Sequence, residues 1–285
     1  TESIALFRKV RNRPLEADSH STLAFIHMYR GDLDKAAASG MEGHRIGVEI
    51  GNEWAQAYGL FTPGYVHYEK GDWGAALDAW EAMVGHAATA GFFAGQTGPG
   101  SDLGYLYVIS GDEERGLARL ETVTELALTK FKDWRTWPMA QLGRALVLRG
   151  DLARARTILD EAAQHGRVRG NLYMPVLLAL GKGELALAEG RAADALRVAR
   201  EERRLATDRG LRQLEKDFDL LEGDALRALG DLEGARVPLA RGVEASRAIG
   251  SIRLLWRFHG GLAAIADARR DVTEARRERE EAAAI

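Results

Sequence analysis

Residues 95–101 read GQTGPGS, and glycine at that density is where a chain can bring its backbone amides against a phosphate. A phosphate loop needs G-x-x-x-x-G-K-[ST], with the lysine on the phosphates and the hydroxyl on magnesium. Aligned on Gly95 and Gly100, this chain has Ser101 in the lysine position and Asp102 in the hydroxyl position. A carboxylate there repels phosphate. The dinucleotide fingerprint G-x-G-x-x-G fails as well, because Leu103 stands where its last glycine belongs. No strand pattern leads into the segment, so it is not a nucleotide site.

Other chemistry is equally sparse. His27 and His67 stand four residues before Gly31 and Gly71, but no carboxylate or third histidine shares their register, so no metal site is expected. The chain has no cysteine, which excludes disulfides, thiolate nucleophiles and cysteine-based zinc sites. No Ser-His-Asp set or carboxylate pair stands out from the 42 acidic residues. The residues point to no enzyme activity and no cofactor. A formal net charge of -3 offers no basic footprint for nucleic acid. No run of 18 apolar residues suggests a membrane span, and no signal peptide opens the chain, so a soluble cytoplasmic protein is expected.

Aromatic residues are the conspicuous binding-type side chains. Residues 50–140 hold 14 of the 21 Phe, Tyr and Trp, a concentration that uniform packing does not require. Tyr, Trp and Arg dominate binding hot spots. The group singled out is Tyr58, Phe61, Tyr65, Tyr105 and Trp137, with Arg144 and Glu184 further along. Arg144 is placed either to clamp a partner's carboxylate or to pair with Glu184. Trp73, Trp80, Phe92 and Phe131 are read as core or junction residues.

The elements that position these side chains follow from a repeat. Gly-Asp occurs at 31–32, 71–72, 111–112, 150–151 and 230–231, and Gly190-Arg191 and Arg270-Asp271 complete the series at spacings of 40, 40, 39, 40, 40 and 40. A second series, Gly51, Gly91, Gly170, Gly210 and Gly250, falls midway and is broken at Phe131. Gly suits the left-handed residue that ends a helix, and Asp caps the next one. Between turns, stretches such as DLARARTILDEAAQHG carry apolar residues at helical spacing. The fold class is therefore all-α: about seven helix-turn-helix repeats in one solenoid over residues 1–285.

Two columns fix the type of hairpin. Seven residues before each turn stand Ala24, Gly64, Gly104, Gly143, Gly183, Gly223 and Ala263. Five after it stand Ala36, Ala76, Gly116, Ala155, Ala195, Ala235 and Ala275. Small residues at facing positions let two helices approach closely. The chain resembles the tetratricopeptide repeat family in these columns and in Tyr107. It departs at His27, His67, Leu146 and Ala186, and in having forty-residue rather than thirty-four-residue repeats. Repeats of this length are similar to those beside ATPase modules in large bacterial regulators and in multidomain nucleotide cyclases.

That resemblance implies a right-handed superhelix whose first helices line a concave groove. The column six before each turn, Phe25, Tyr65, Tyr105, Arg144, Glu184, Asp224 and Ala264, would then be a ribbon along the groove. The expected function is a non-catalytic interaction module that binds a peptide or protein segment, or other domains of its own parent chain, without nucleic acid or membrane. The alternative is a ligand-sensing regulatory domain of a larger signalling ATPase, cyclase or transcriptional regulator, with the aromatics and the 95–101 segment enclosing a small molecule. Both ends fall inside the repeat, which suggests a fragment or flanks of disorder. Glu278 and Arg279 in place of an apolar pair suggest a polar outer face on a capping helix.

Three glycines and a proline inside one helix would cost roughly 5–6 kcal/mol. The helix carrying GQTGPGS is therefore expected to begin near Pro99 or Ser101, with 95–98 irregular. Either a tolerated kink or an opening into the groove would result.

Overall fold

A computed structural model describes residues 2–164 and 173–285. Gly170 lies outside the described residues. Fifteen α-helices and no strand are present among the described residues. In chain order they are α1 (Glu2–Lys9), α2 (Arg13–Arg30), α3 (Leu33–Glu49), α4 (Glu53–Glu69), α5 (Trp73–Thr89), α6 (Phe93–Ile109), α7 (Glu113–Lys130) and α8 (Thr136–Arg149). There follow α9 (Leu152–Gln164), α10 (Tyr173–Ala188), α11 (Ala192–Asp208), α12 (Arg212–Ala228), α13 (Leu232–Ile249), α14 (Leu255–Ala268) and α15 (Val272–Ala283). Each helix packs on the next, so the architecture is an all-α helical repeat solenoid. None of these helices is long and apolar enough to cross a membrane.

The turn chemistry accounts for the helix boundaries. Gly31, Gly71, Gly111, Gly150, Gly190 and Gly230 all have φ between +73° and +99°. The register positions without glycine, Arg11 and Arg270, still adopt φ of 56° and 60°. Carboxylates of Asp72, Asp112, Asp151, Asp231 and Asp271 accept the amide three residues on. Phe131, where the second glycine series breaks, has φ −144° and leads into a 3₁₀ turn over Lys132–Trp134.

The small columns work by knob and socket. A Cβ placed on Gly64 would sit 2.5 Å from the Trp80 ring, on Gly143 2.5 Å from Leu159, and on Gly223 2.5 Å from Leu239. Each of these first helices therefore receives one large side chain of its partner helix onto bare backbone. The opposing alanines, from Ala36 through Ala275, are fully buried.

Expectation and structure part at the closure of the solenoid. The chain curves until α12 packs against α2 and residues 251–253 reach the end of α4. The Ile252 and Arg253 amides both donate to the Glu69 carbonyl, at 2.9 and 3.2 Å. Two turn glycines serve as docking points: a Cβ on Gly31 would lie 2.6 Å from Ile249 Cγ2, and one on Gly71 would lie 2.8 Å from Ile252 Cδ1. The concave face is thereby turned into an interior.

Glu278 also departs from the expected outer face. It is buried against α14, where its carboxylate lies 2.6 Å from His259 Nδ1.

Candidate functional site

The segment GQTGPGS is helical throughout, since α6 begins at Phe93 and not at Pro99 or Ser101. Tertiary packing overrides local propensity here, and the glycines show how. A Cβ on Gly95 would lie 2.7 Å from the Phe92 ring, and one on Gly98 would lie 2.8 Å from the Trp137 indole. Bare backbone at 95 and 98 thus lets two large rings lie directly on the helix. Trp137 is 3% exposed, and burying it contributes about 2–3 kcal/mol toward the helix penalty. Pro99 carries no N–H, so the Gly95 carbonyl loses its helical donor.

These rings wall an aromatic cavity of about 260 Å³ between α2, α4, α6 and the start of α8. Phe25 stacks on Phe61 at 4.9 Å and 11°, and Trp134 stacks on Trp137 at 5.9 Å and 21°. Phe61 and Trp137 meet at 82°, so the two stacked pairs form a corner. Tyr29, Tyr58 and Phe92 complete the wall, and Gly95 and Pro99 line it. Phe61 and Trp137 are buried at its base, whereas Phe25, Tyr29, Tyr58, Phe92 and Trp134 are half-buried toward its mouth. Among the described residues that line it there is no Lys, Arg, His, Asp or Glu.

A polar chain runs from this cavity into the ring interior. Trp137 Nε1 donates to Asp102 Oδ1 at 3.0 Å, and Gln141 Nε2 donates to the same oxygen at 2.6 Å. Arg144 Nη1 donates to Gln141 Oε1 at 3.1 Å. The Arg144 guanidinium then grips Glu184 through both oxygens, at 2.8 and 3.0 Å, and lies 4.4 Å over the Tyr105 ring. Among the described residues Asp102 Oδ2 is buried without a hydrogen-bond partner. Burial pushes the Asp102 carboxyl up to about 7, against the opposing pull of its Trp137 and Gln141 bonds and of Arg144. Tyr29 of α2 and Tyr173 of α10 also lie within its electrostatic reach.

The interior ends at the closure. Glu69 accepts from Tyr65 Oη at 2.9 Å, Ser251 Oγ at 2.6 Å and Arg253 Nε at 2.9 Å, with Lys216 Nζ at 3.0 Å. Arg253 also holds both oxygens of Asp217 at 2.8 Å. Burial pushes the two carboxyls up, yet Arg253 and Lys216 outweigh it: Glu69 lies below its ordinary range and Asp217 is held down to about 2. Only about 30 Å³ of space remains between these groups and Arg144, Tyr105 and Asp102. The interior is a filled polar core, not an open groove.

The candidate residues named from sequence therefore separate. Tyr58, Phe61 and Trp137 converge on the aromatic cavity. Tyr65, Tyr105 and Arg144 are buried in the ring interior, at 3, 7 and 7% exposure. Glu184 is half-buried and committed to Arg144. An open trough displaying all seven to a peptide is not what the chain forms, because closure at Glu69 covers the middle of it. Phe92, read as a core or junction residue, stands on the cavity wall, as does Trp134. The signal for Trp134 was the interrupted glycine series just before it. His27 and His67 each lie 3.5 Å from the Asp of their own turn, Asp32 and Asp72. Among the described residues no cluster of three metal-ligating side chains occurs.

No family model matches the chain, and no curated protein matches it.

Proposed function

We propose that this chain is a non-catalytic, ligand-sensing regulatory domain, cytoplasmic and built of tetratricopeptide-like repeats, that takes a small organic molecule into its aromatic cavity. The supporting observation is the cavity itself: seven aromatic rings around about 260 Å³, backed by a helix that tolerates two close-approach glycines and a proline to form it. Ligand sites are concave and mostly apolar with a few placed polar groups. Peptide capture in the ring interior, the other reading, would require the Glu69 closure to open first.

A thermal-shift screen with a metabolite library tests the sensor reading. A ligand at about 100 times its Kd stabilises the folded state by about 2.7 kcal/mol. The expected result is at least one compound that raises the Tm of the wild type and leaves Trp134→Leu unmoved. Stabilisation that is identical in the variant, or no stabilisation by any compound, would reject the cavity as the sensing site.

A further inference from the structure

The walls of the cavity also say what charge it accepts. Among the described residues its lining supplies π faces, including two tyrosine rings, and no ionisable base. An anionic ligand would find nothing there to neutralise it. A cation over an aromatic face is attracted by the ring quadrupole, and the attraction strengthens when water is excluded.

Two acidic groups outside the lining add to this bias, Asp102 once it has lost its proton above about pH 7. Asp102 accepts the Trp137 indole N–H at 3.0 Å, which draws electron density into the ring that forms the cavity base. Asp18, half-buried on α2, acts electrostatically on Tyr58 at the mouth. The stacked pairs Phe25–Phe61 and Trp134–Trp137, set at right angles, give a compact cation more than one wall to face. A primary ammonium keeps strong hydration and needs hydrogen-bond acceptors on every side. A methylated ammonium sheds water easily and presents only polarised methyl groups, which suits rings better than it suits carbonyls.

We propose that the aromatic cavity formed by Phe25, Tyr58, Phe61, Phe92, Trp134 and Trp137 binds a quaternary ammonium group. This deepens the sensor reading and rests on it. The ligand is then a small trimethylammonium compound whose remaining substituent points to the half-buried mouth.

The test uses two probes of the same shape: choline, and the alcohol in which carbon replaces its quaternary nitrogen. Binding is followed by calorimetry and by tryptophan fluorescence, since Trp134 and Trp137 would both report contact. Choline is expected to bind at least about tenfold more tightly than the neutral probe. Trp134→Leu should abolish that preference, and Asp102→Asn, which keeps a hydrogen-bond acceptor for Trp137, should weaken choline several-fold at pH 8, where Asp102 is ionised, without affecting the neutral probe. Circular dichroism and melting establish that each variant is folded, with Tyr58→Leu as the substitute if Trp134→Leu is not. Equal binding of the two probes would overturn the charge assignment and leave an uncharged-ligand sensor standing. Failure of choline to bind would also overturn it, while the library screen continues to decide the sensor reading separately.

Discussion

The Glu69 carboxylate meets Arg253 Nε at 2.9 Å across 184 residues of chain, and both side chains are buried. Four donors converge on Glu69, so its charge is compensated inside the protein. A buried ion pair adds little net stability when complete, but removing one partner strands the other and is strongly destabilising. One carboxylate thereby ties four side chains into the closure of the solenoid.

Glu69→Ala leaves Lys216 fully buried and Arg253 half-paired. We expect a loss of about 3–5 kcal/mol and a Tm lower by on the order of 10 °C. Small-angle scattering should show a larger radius of gyration as the ring opens. The pH sign follows from the depressed carboxyls: stability from Glu69 and Asp217 is present above their unfolded range near 4 and is lost as pH falls toward 2. A melt of Glu69→Ala equal to that of wild type would mean that the Glu69 carboxylate contributes nothing to the closure.

Gly31 and Gly190 test the docking role of a turn glycine. Both are left-handed, with φ of 80° and 76°, so an alanine at either pays about 1–2 kcal/mol for its backbone. Only at Gly31 does the new Cβ meet a distant neighbour, Ile249 Cγ2 at 2.6 Å, whereas at Gly190 nothing lies within 4 Å. Gly31→Ala should therefore lose a further 1–3 kcal/mol or so beyond Gly190→Ala, the usual range for overpacking. Equal melting temperatures for the two variants would show that the turn at 31 carries no closure load.

That comparison also locates the limit of sequence reading. The turns, the two small columns and the all-α class were legible because each is set by residues a few positions apart. Gly31 and Gly71 look identical to the other turn glycines, and only curvature summed over six repeats brings Ile249 and Ile252 to them. Tyr65 and Arg144 are buried in the ring interior, and whether that face is a groove or a core depends on the same accumulated curvature. In α6 the local propensity was misleading because the compensating ring, Trp137, lies 39 residues beyond Gly98. The aromatic concentration in residues 50–140 was the legible part of the cavity.

Asp102 should leave its own signature in stability against pH. Its folded carboxyl titrates near 7, well above the ordinary aspartate value, because it is buried. The native state then holds a proton that the unfolded chain has released, so stability falls as pH rises from about 4 to about 7 and is level above that. Asp102→Asn cannot ionise and still offers an oxygen to Trp137 and Gln141. The variant should gain on wild type as pH rises, by a few kcal/mol at pH 8 relative to pH 5. A difference between the two proteins that does not change over this range would mean that Asp102 is ionised throughout.

Arg144 joins Glu184 on α10 to the Gln141–Asp102 pair, so its charge has a structural task before any binding task. Arg144→Glu would set a second carboxylate against Glu184 and remove a cation that lowers the buried Asp102 carboxyl. Loss of a buried partner costs about 3–5 kcal/mol, and the reversed charge adds to it. Tyr65→Ala should also destabilise, by about 3–5 kcal/mol, through a cavity in the core and the loss of a donor to Glu69. Both variants are therefore expected to melt well below wild type, measured by circular dichroism, whatever their effect on a partner. If Arg144→Glu instead melts like wild type, the guanidinium is free to serve a ligand, and the interior would have to open far enough to admit one.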